Sequence, residues 1–157
     1  MSAPAAAPRA AYRERLTPPV LWYVVAIVIG GSFGLVLLPF AGAEGLALGA
    51  LAGATIGAGI LVLTSAVVEV TEGVLRAGRA AIPVRLLGPA TVLDAAEMSV
   101  LRGRSFDPRA YLCQRAWVKA GVQVRVADPA DPTPYWLISS RRPDLLALAI
   151  EAQRDAG

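Results

Sequence analysis

The sequence contains no histidine and a single cysteine, Cys113. The first absence removes the commonest general base and the commonest metal ligand. The second excludes an internal disulfide, and with no histidine it leaves no zinc site of the Cys/His type. One lone thiol also agrees with a reducing compartment. Nucleophilic use of Cys113 would need a partner base; Arg115 could lower its pKa but cannot accept its proton. No glycine-rich loop of the P-loop or dinucleotide type is present. The expectation is therefore a protein that is not an enzyme, with no cofactor and no metal.

Charge is scarce as well. Between Arg15 and Glu69 the only charged residue is Glu44. Residues 21–40 form an uncharged apolar run that as a helix would span about 30 Å, the thickness of a hydrocarbon core. Residues 45–68 form a second such run. The first is too long for a signal-peptide core, and the second follows almost at once. With only residues 41–44 between them, the two runs predict an antiparallel hairpin of transmembrane helices, 20–40 and 45–67. Arg9, Arg13 and Arg15 precede it and Arg76, Arg79 and Arg85 follow it, while the short connection carries no base. The positive-inside bias thus predicts two spans of the cell membrane with both termini cytoplasmic. Residues 1–18, opening Ala/Pro-rich, read as a disordered juxtamembrane tail.

Glycine recurs every fourth residue in the second run, at Gly45, Gly49, Gly53 and Gly57, and Gly30 and Gly34 repeat the spacing in the first. Such stripes let helix backbones approach closely in lipid, where packing holds helices together. They can face each other within one chain or join copies into a homo-oligomer, the basis of an alternative function as a small channel or transporter subunit. Neither run holds a mid-membrane charge, so an ion path through the bilayer has no support. Thr55, Thr64 and Ser65 can bond to their own helix backbone.

Residues 68–157 change to short alternating pieces. VEVTEGVLRAG reads as strand, turn and strand, AAIPVRLL as an edge strand marked by Pro83, and ATVLDAA as a fourth strand. GVQVRV is the clearest strand, PYWLISS follows it, and PDLLALAIEAQRDAG is an amphipathic helix with Pro143 in its first turn. The fold class expected is α+β: a two-helix transmembrane hairpin and a cytoplasmic β-barrel or curled sheet closed by a C-terminal helix. From Glu69 onward 12 basic residues face 10 acidic ones, a balance that gives no nucleic-acid signature. Arg102, Arg104, Arg109, Arg115 and Lys119 are interleaved with Phe106, Tyr111 and Trp117; the simplest reading is a structural segment with solvated arginines, ahead of headgroup or nucleic-acid contact.

The segments Tyr12-Arg13-Glu14-Arg15-Leu16, Gly78, Ile82-Pro83, Asp128-Pro129-Ala130-Asp131-Pro132-Thr133-Pro134-Tyr135-Trp136 and Ser140-Arg141-Arg142-Pro143 resemble an uncharacterised family of actinobacterial membrane proteins, domain of unknown function 3093. The resemblance spans nearly the whole chain and implies no activity. The order TEGVLRAG, IPVRLLGPATVLD and WLISSRRPDLLALAI also resembles bacterial pleckstrin-homology-like domains that follow membrane helices. Here the first hairpin loop is short and acidic, unlike the basic loop with which lipid-binding members hold phosphoinositides.

The candidate docking residues are Asp128, Asp131, Tyr135, Trp136, Arg141 and Arg142. The two Asp-Pro steps favour turns, in which each carboxylate bonds nearby backbone, over a cation site, which needs denser oxygen ligands. Tyr135 and Trp136 should point to opposite faces of their strand, one into the core. Arg141 and Arg142 could pair with Asp128 or Asp131, or present an anion or partner site at the start of the last helix. The functional expectation is a membrane-tethered cytoplasmic scaffold or interaction module, with the bilayer and a protein as partners and no nucleic acid.

Overall fold

The computed structural model describes residues 11–156, so the first ten residues of the expected tail lie outside the described residues. The chain forms two compact units. One is built from the N-terminal segment through Leu16 together with Ala66 onward, and the other is Thr17–Ser65.

The first unit begins with β1 (Tyr12–Leu16), a strand where the sequence predicts tail. Its residues alternate strictly: Tyr12, Glu14 and Leu16 are buried, while Arg13 and Arg15 face outward. Next come β2 (Ala66–Thr71), β3 (Val74–Ala77) and β4 (Ala80–Pro83), giving an antiparallel sheet ordered β1-β2-β3-β4. Glu72 and Gly73 both take positive φ, which is the mirror-image turn that suits the twist of a two-residue hairpin. Pro83 lies on an edge strand, as expected, but the strand ends there and does not continue through the expected AAIPVRLL.

A 3₁₀ turn (Val84–Leu86) leads into the second sheet, formed by β5 (Leu87–Leu93), β6 (Tyr111–Cys113), β7 (Gly121–Val126) and β8 (Tyr135–Ser139) in the order β5-β7-β8-β6. The pair β6·β8 is parallel and the others antiparallel. The expected single barrel or curled sheet is thus two four-stranded sheets. Between β5 and β6 lies α2 (Ala95–Arg102), which the sequence reading missed. Asp94 caps it, accepting from the N–H groups of Ala96 and Glu97, while Glu97 returns a carboxylate to the Asp94 N–H. The terminal helix α3 (Pro143–Asp155) buries Leu146, Ala147 and Ile150 in the same core as Val68, Leu75, Val122 and Val124, which joins both sheets.

The second unit is α1 (Val20–Leu63), 44 residues with one break, at Gly42. There φ is 58° and ψ is −150°, a region open essentially to glycine alone. The helices on either side touch backbone to backbone. A side chain at Gly30 would collide with the Gly53 carbonyl, and one at Gly49 would lie 2.9 Å from the Gly34 Cα. The helix ends at Leu63, short of the expected residue 67, and the Thr64 and Ser65 hydroxyls bond back to the Ile60 and Leu61 carbonyls. Ala66–Thr71 is strand instead.

Candidate functional site

The proline-rich loop between β7 and β8 is held by its own aspartates. The Ala130 N–H donates to Asp128 Oδ1 at 2.9 Å, and the Thr133 N–H to Asp131 Oδ1 at 2.8 Å. These are Asx turns, with the adjoining prolines fixing φ. The Thr133 hydrogen bonds, backbone first, hold the Asp131 carboxyl below its ordinary range. Among the described residues no group of three acidic or thiol side chains could hold a metal ion.

Trp136, one of the candidate docking residues, is the member of the Tyr135–Trp136 pair that points into the core. It is 5% exposed and stacks obliquely on Tyr111, with ring centroids 4.5 Å apart. Tyr135 takes the opposite face as expected, half-buried against the small cluster of Leu93, Met98 and Leu137. Strand β8, five residues long, lies between the Asp128–Asp131 loop and Arg141 and Arg142 in the chain, and the two carboxylates bond N–H groups of their own loop.

What Ser140-Arg141-Arg142 meets is β1. Glu14 is buried, and both its oxygens are engaged. The hydroxyls of Tyr12 and Ser140 donate to Oε2 at 2.6 and 2.7 Å, and the Arg141 N–H donates to Oε1 at 3.1 Å. Ser140 Oγ also accepts from the Arg142 N–H at 3.0 Å and lies 2.9 Å from the Tyr12 hydroxyl. The Arg142 guanidinium lies over the Tyr12 ring, 5.7 Å from its centre, and Arg141 reaches the Arg15 carbonyl. Two distant motifs, YRERL and SSRRP, thus form one clasp in which a buried carboxylate is satisfied by hydroxyl and backbone donors. Arg141 and Arg142 carry their charges to the surface beside it.

Sequence reasoning missed Tyr12, Glu14 and Ser140. The signal was the period-two spacing of Tyr12, Glu14 and Leu16, obscured because its central member is an acid.

The clasp titrates in alkali. Burial and then the hydrogen bond to Glu14 push the Tyr12 hydroxyl from 10.0 up to about 12. A group raised on folding contributes stability that is fully present below its unfolded pKa and lost as pH climbs to the folded one. Stability is expected to fall between pH 10 and 12, by about 2 kcal/mol once solvent screening is discounted from the full linkage value. Tyr12→Phe should flatten that part of the profile, as read by denaturant unfolding across pH.

Cys113 is 3% exposed, and burial pushes its thiol up despite the opposing Arg115 charge. It should therefore resist a water-soluble maleimide in the folded chain and react once denaturant is added. Rapid native labelling would contradict the burial.

In α1 the stripe glycines are engaged within the chain. Gly30 meets Gly53, Gly34 meets Gly49 and Ala50, Gly57 meets Ala26, and Gly45 packs on Leu37 and Ala41. Thr55 bonds the Leu51 carbonyl at 2.8 Å, so its hydroxyl is spent locally as expected.

Among known proteins, the family described as "Protein of unknown function (DUF3093)" matches residues 11–150. The chain belongs to the DUF3093 family. The match opens at β1 and closes within α3, so DUF3093 embraces both halves of the clasp and the apolar helix between β1 and β2. No curated protein and no solved structure matches the chain.

Proposed function

We propose that this chain is a membrane-tethered cytoplasmic scaffold or interaction module, anchored by a two-span helical hairpin and presenting the Arg141–Arg142 corner. The observation that carries the reading is the pairing of β1 with β2, in which Leu16 stands opposite Ala66. These residues flank α1 closely, so both ends of α1 emerge on the same side of any membrane it enters. A segment so clasped crosses an even number of times. Two crossings fit its 44 residues, since one span takes about 20.

Further features support the membrane. By length and composition α1 can cross a bilayer, and only 11% of its most apolar window is buried in the chain, unlike the core helix of a soluble protein. The break at Gly42 and the glycine contacts suit a hairpin turning there. Arginines flanking α1 in the sequence favour the cytoplasm for the folded unit. Two sheets closed by α3 suit a pleckstrin-homology-like domain, although the parallel β6·β8 pair departs from an antiparallel meander. A channel built on the glycine ladder would have to draw on glycines already packed inside one chain.

Single cysteines at Ala43 and Ser105, in a Cys113→Ala background, test the reading. Both native residues are exposed. An impermeant thiol reagent should label position 43 on intact cells and position 105 only after permeabilisation. Labelling of both from one side would refute the two-span anchor.

A further inference from the structure

Helix α3 has a second apolar face. Leu146, Ala147 and Ile150 fill the core, yet Leu145 and Leu148 remain 50% and 61% exposed. With Ala149 and Ala152 they line a groove of about 480 Å³ against the start of β1. The charged residues on its wall are Arg13 and Arg142, and none of the described residues lining it is acidic. Arg13 projects outward because β1 alternates, and Arg142 is positioned by the clasp through its N–H on Ser140. The groove therefore joins an apolar floor to a cationic rim, the complement of an amphiphile with an anionic head.

We propose that this groove docks on the anionic phospholipid headgroups and upper acyl chains of the leaflet in which α1 is anchored. The inference rests on the membrane reading above and deepens it by naming what the Arg142 corner meets. Charge complementarity selects an anionic ligand: the two charged residues beside the exposed leucines, Arg13 on β1 and Arg142 at the start of α3, are both basic, and apolar residues next to bases suit an interfacial face. The tether decides for lipid over an acidic peptide. Arg13 is seven residues from Val20, so it stays within about 25 Å of the start of α1 even if the chain between is fully extended. Headgroups are then present at high effective concentration in every copy of the protein, whereas a peptide must arrive from solution. The site is distinct from the β2–β3 hairpin tip, where the Gly73 N–H is already taken by Gln153 Oε1 at 2.7 Å.

The test uses the full chain in nanodiscs of phosphatidylcholine alone or of equal parts phosphatidylcholine and phosphatidylglycerol. A fluorophore on Leu148→Cys, in Cys113→Ala, reads access of an aqueous quencher. Hydrogen exchange over 145–152 in the unsubstituted chain gives a label-free second reading. Phosphatidylglycerol is expected to protect position 148 and slow exchange, and raised salt should reverse both. Arg13→Gln and Arg142→Gln should each lower the docked-to-free ratio about fivefold. Equal accessibility in the two discs, or protection that survives loss of both arginines, would overturn the proposal. So would protection in phosphatidylcholine discs by soluble glycerol phosphate, which marks a free-phosphate site, or by an acidic peptide alone. A chain that fails to insert is recognised separately, by labelling at position 43.

Discussion

Gly53→Leu is expected to drive the two helices of α1 apart and to cost about 3 kcal/mol or more. The reason is geometric. Any Cβ at position 53 lands on the Gly30 carbonyl, and the Gly30 Cα is only 3.1 Å away. Both obstacles are backbone, so no rotamer change relieves the overlap. Gly30→Leu should behave alike, because the contact is reciprocal. Gly31→Leu and Gly59→Leu are the controls: a Cβ at either position meets nothing within 4 Å, and both should be nearly silent. Thermal unfolding of the full chain in detergent separates the two classes. Equal effects at Gly53 and Gly59 would mean that the glycines are not a packing surface.

Glu14→Ala should be the most damaging single truncation of a polar side chain in the folded unit, at about 3 kcal/mol. The carboxylate accepts three hydrogen bonds, two of them from side chains that are themselves buried. Removing it strands the Arg141 N–H and takes the acceptor from two hydroxyls, which can recover only by bonding each other. Hydrogen bonds to charged acceptors are worth more than neutral ones, and buried donors left unpaired cost more than the bond was worth. Asp155→Ala, at an exposed helix end, is the comparison and should stay within about 0.5 kcal/mol. Denaturant unfolding followed by tryptophan fluorescence suits both variants, because the Trp117 indole N–H donates to the Leu16 carbonyl at the end of β1.

The pattern of success and failure in the sequence follows from how each element is specified. VEVTEGVLRAG, GVQVRV and PDLLALAIEAQRD carry their own periodicity and turn chemistry, and each forms the element that its pattern predicts. β1 was illegible because three of its five residues are charged, and Glu14 faces inward only because Ser140 and Arg141 wait there from the far end of the chain. The end of α1 was misplaced because an unbroken apolar run gives no boundary; Val67 and Val68 suit a strand as well as a membrane helix. The cap of α2, Asp94 with Glu97, was present in the sequence but lay at the end of ATVLDAA, whose β-branched residues spoke first. Neither the parallel β6·β8 pairing nor the stacking of Trp136 on Tyr111 has a local signature. The candidate site divided for the same reason. The Asx turns at Asp128 and Asp131 are local and were readable, whereas the clasp joins residues 126 positions apart, a closure with no local signature.

The central claim is that α1 turns back on itself at Gly42, so that β1 and β2 can close around its two ends. A cysteine pair at Ala26 and Gly57, in a Cys113→Ala background, tests it most directly. A Cβ built at Gly57 lies 3.3 Å from that of Ala26, near the usual disulfide separation of about 3.8 Å. In an unbroken helix the two positions would be about 46 Å apart. The account predicts rapid oxidation to a disulfide within single chains, at an unchanged monomer mass. No disulfide, or one that joins two chains, would contradict it.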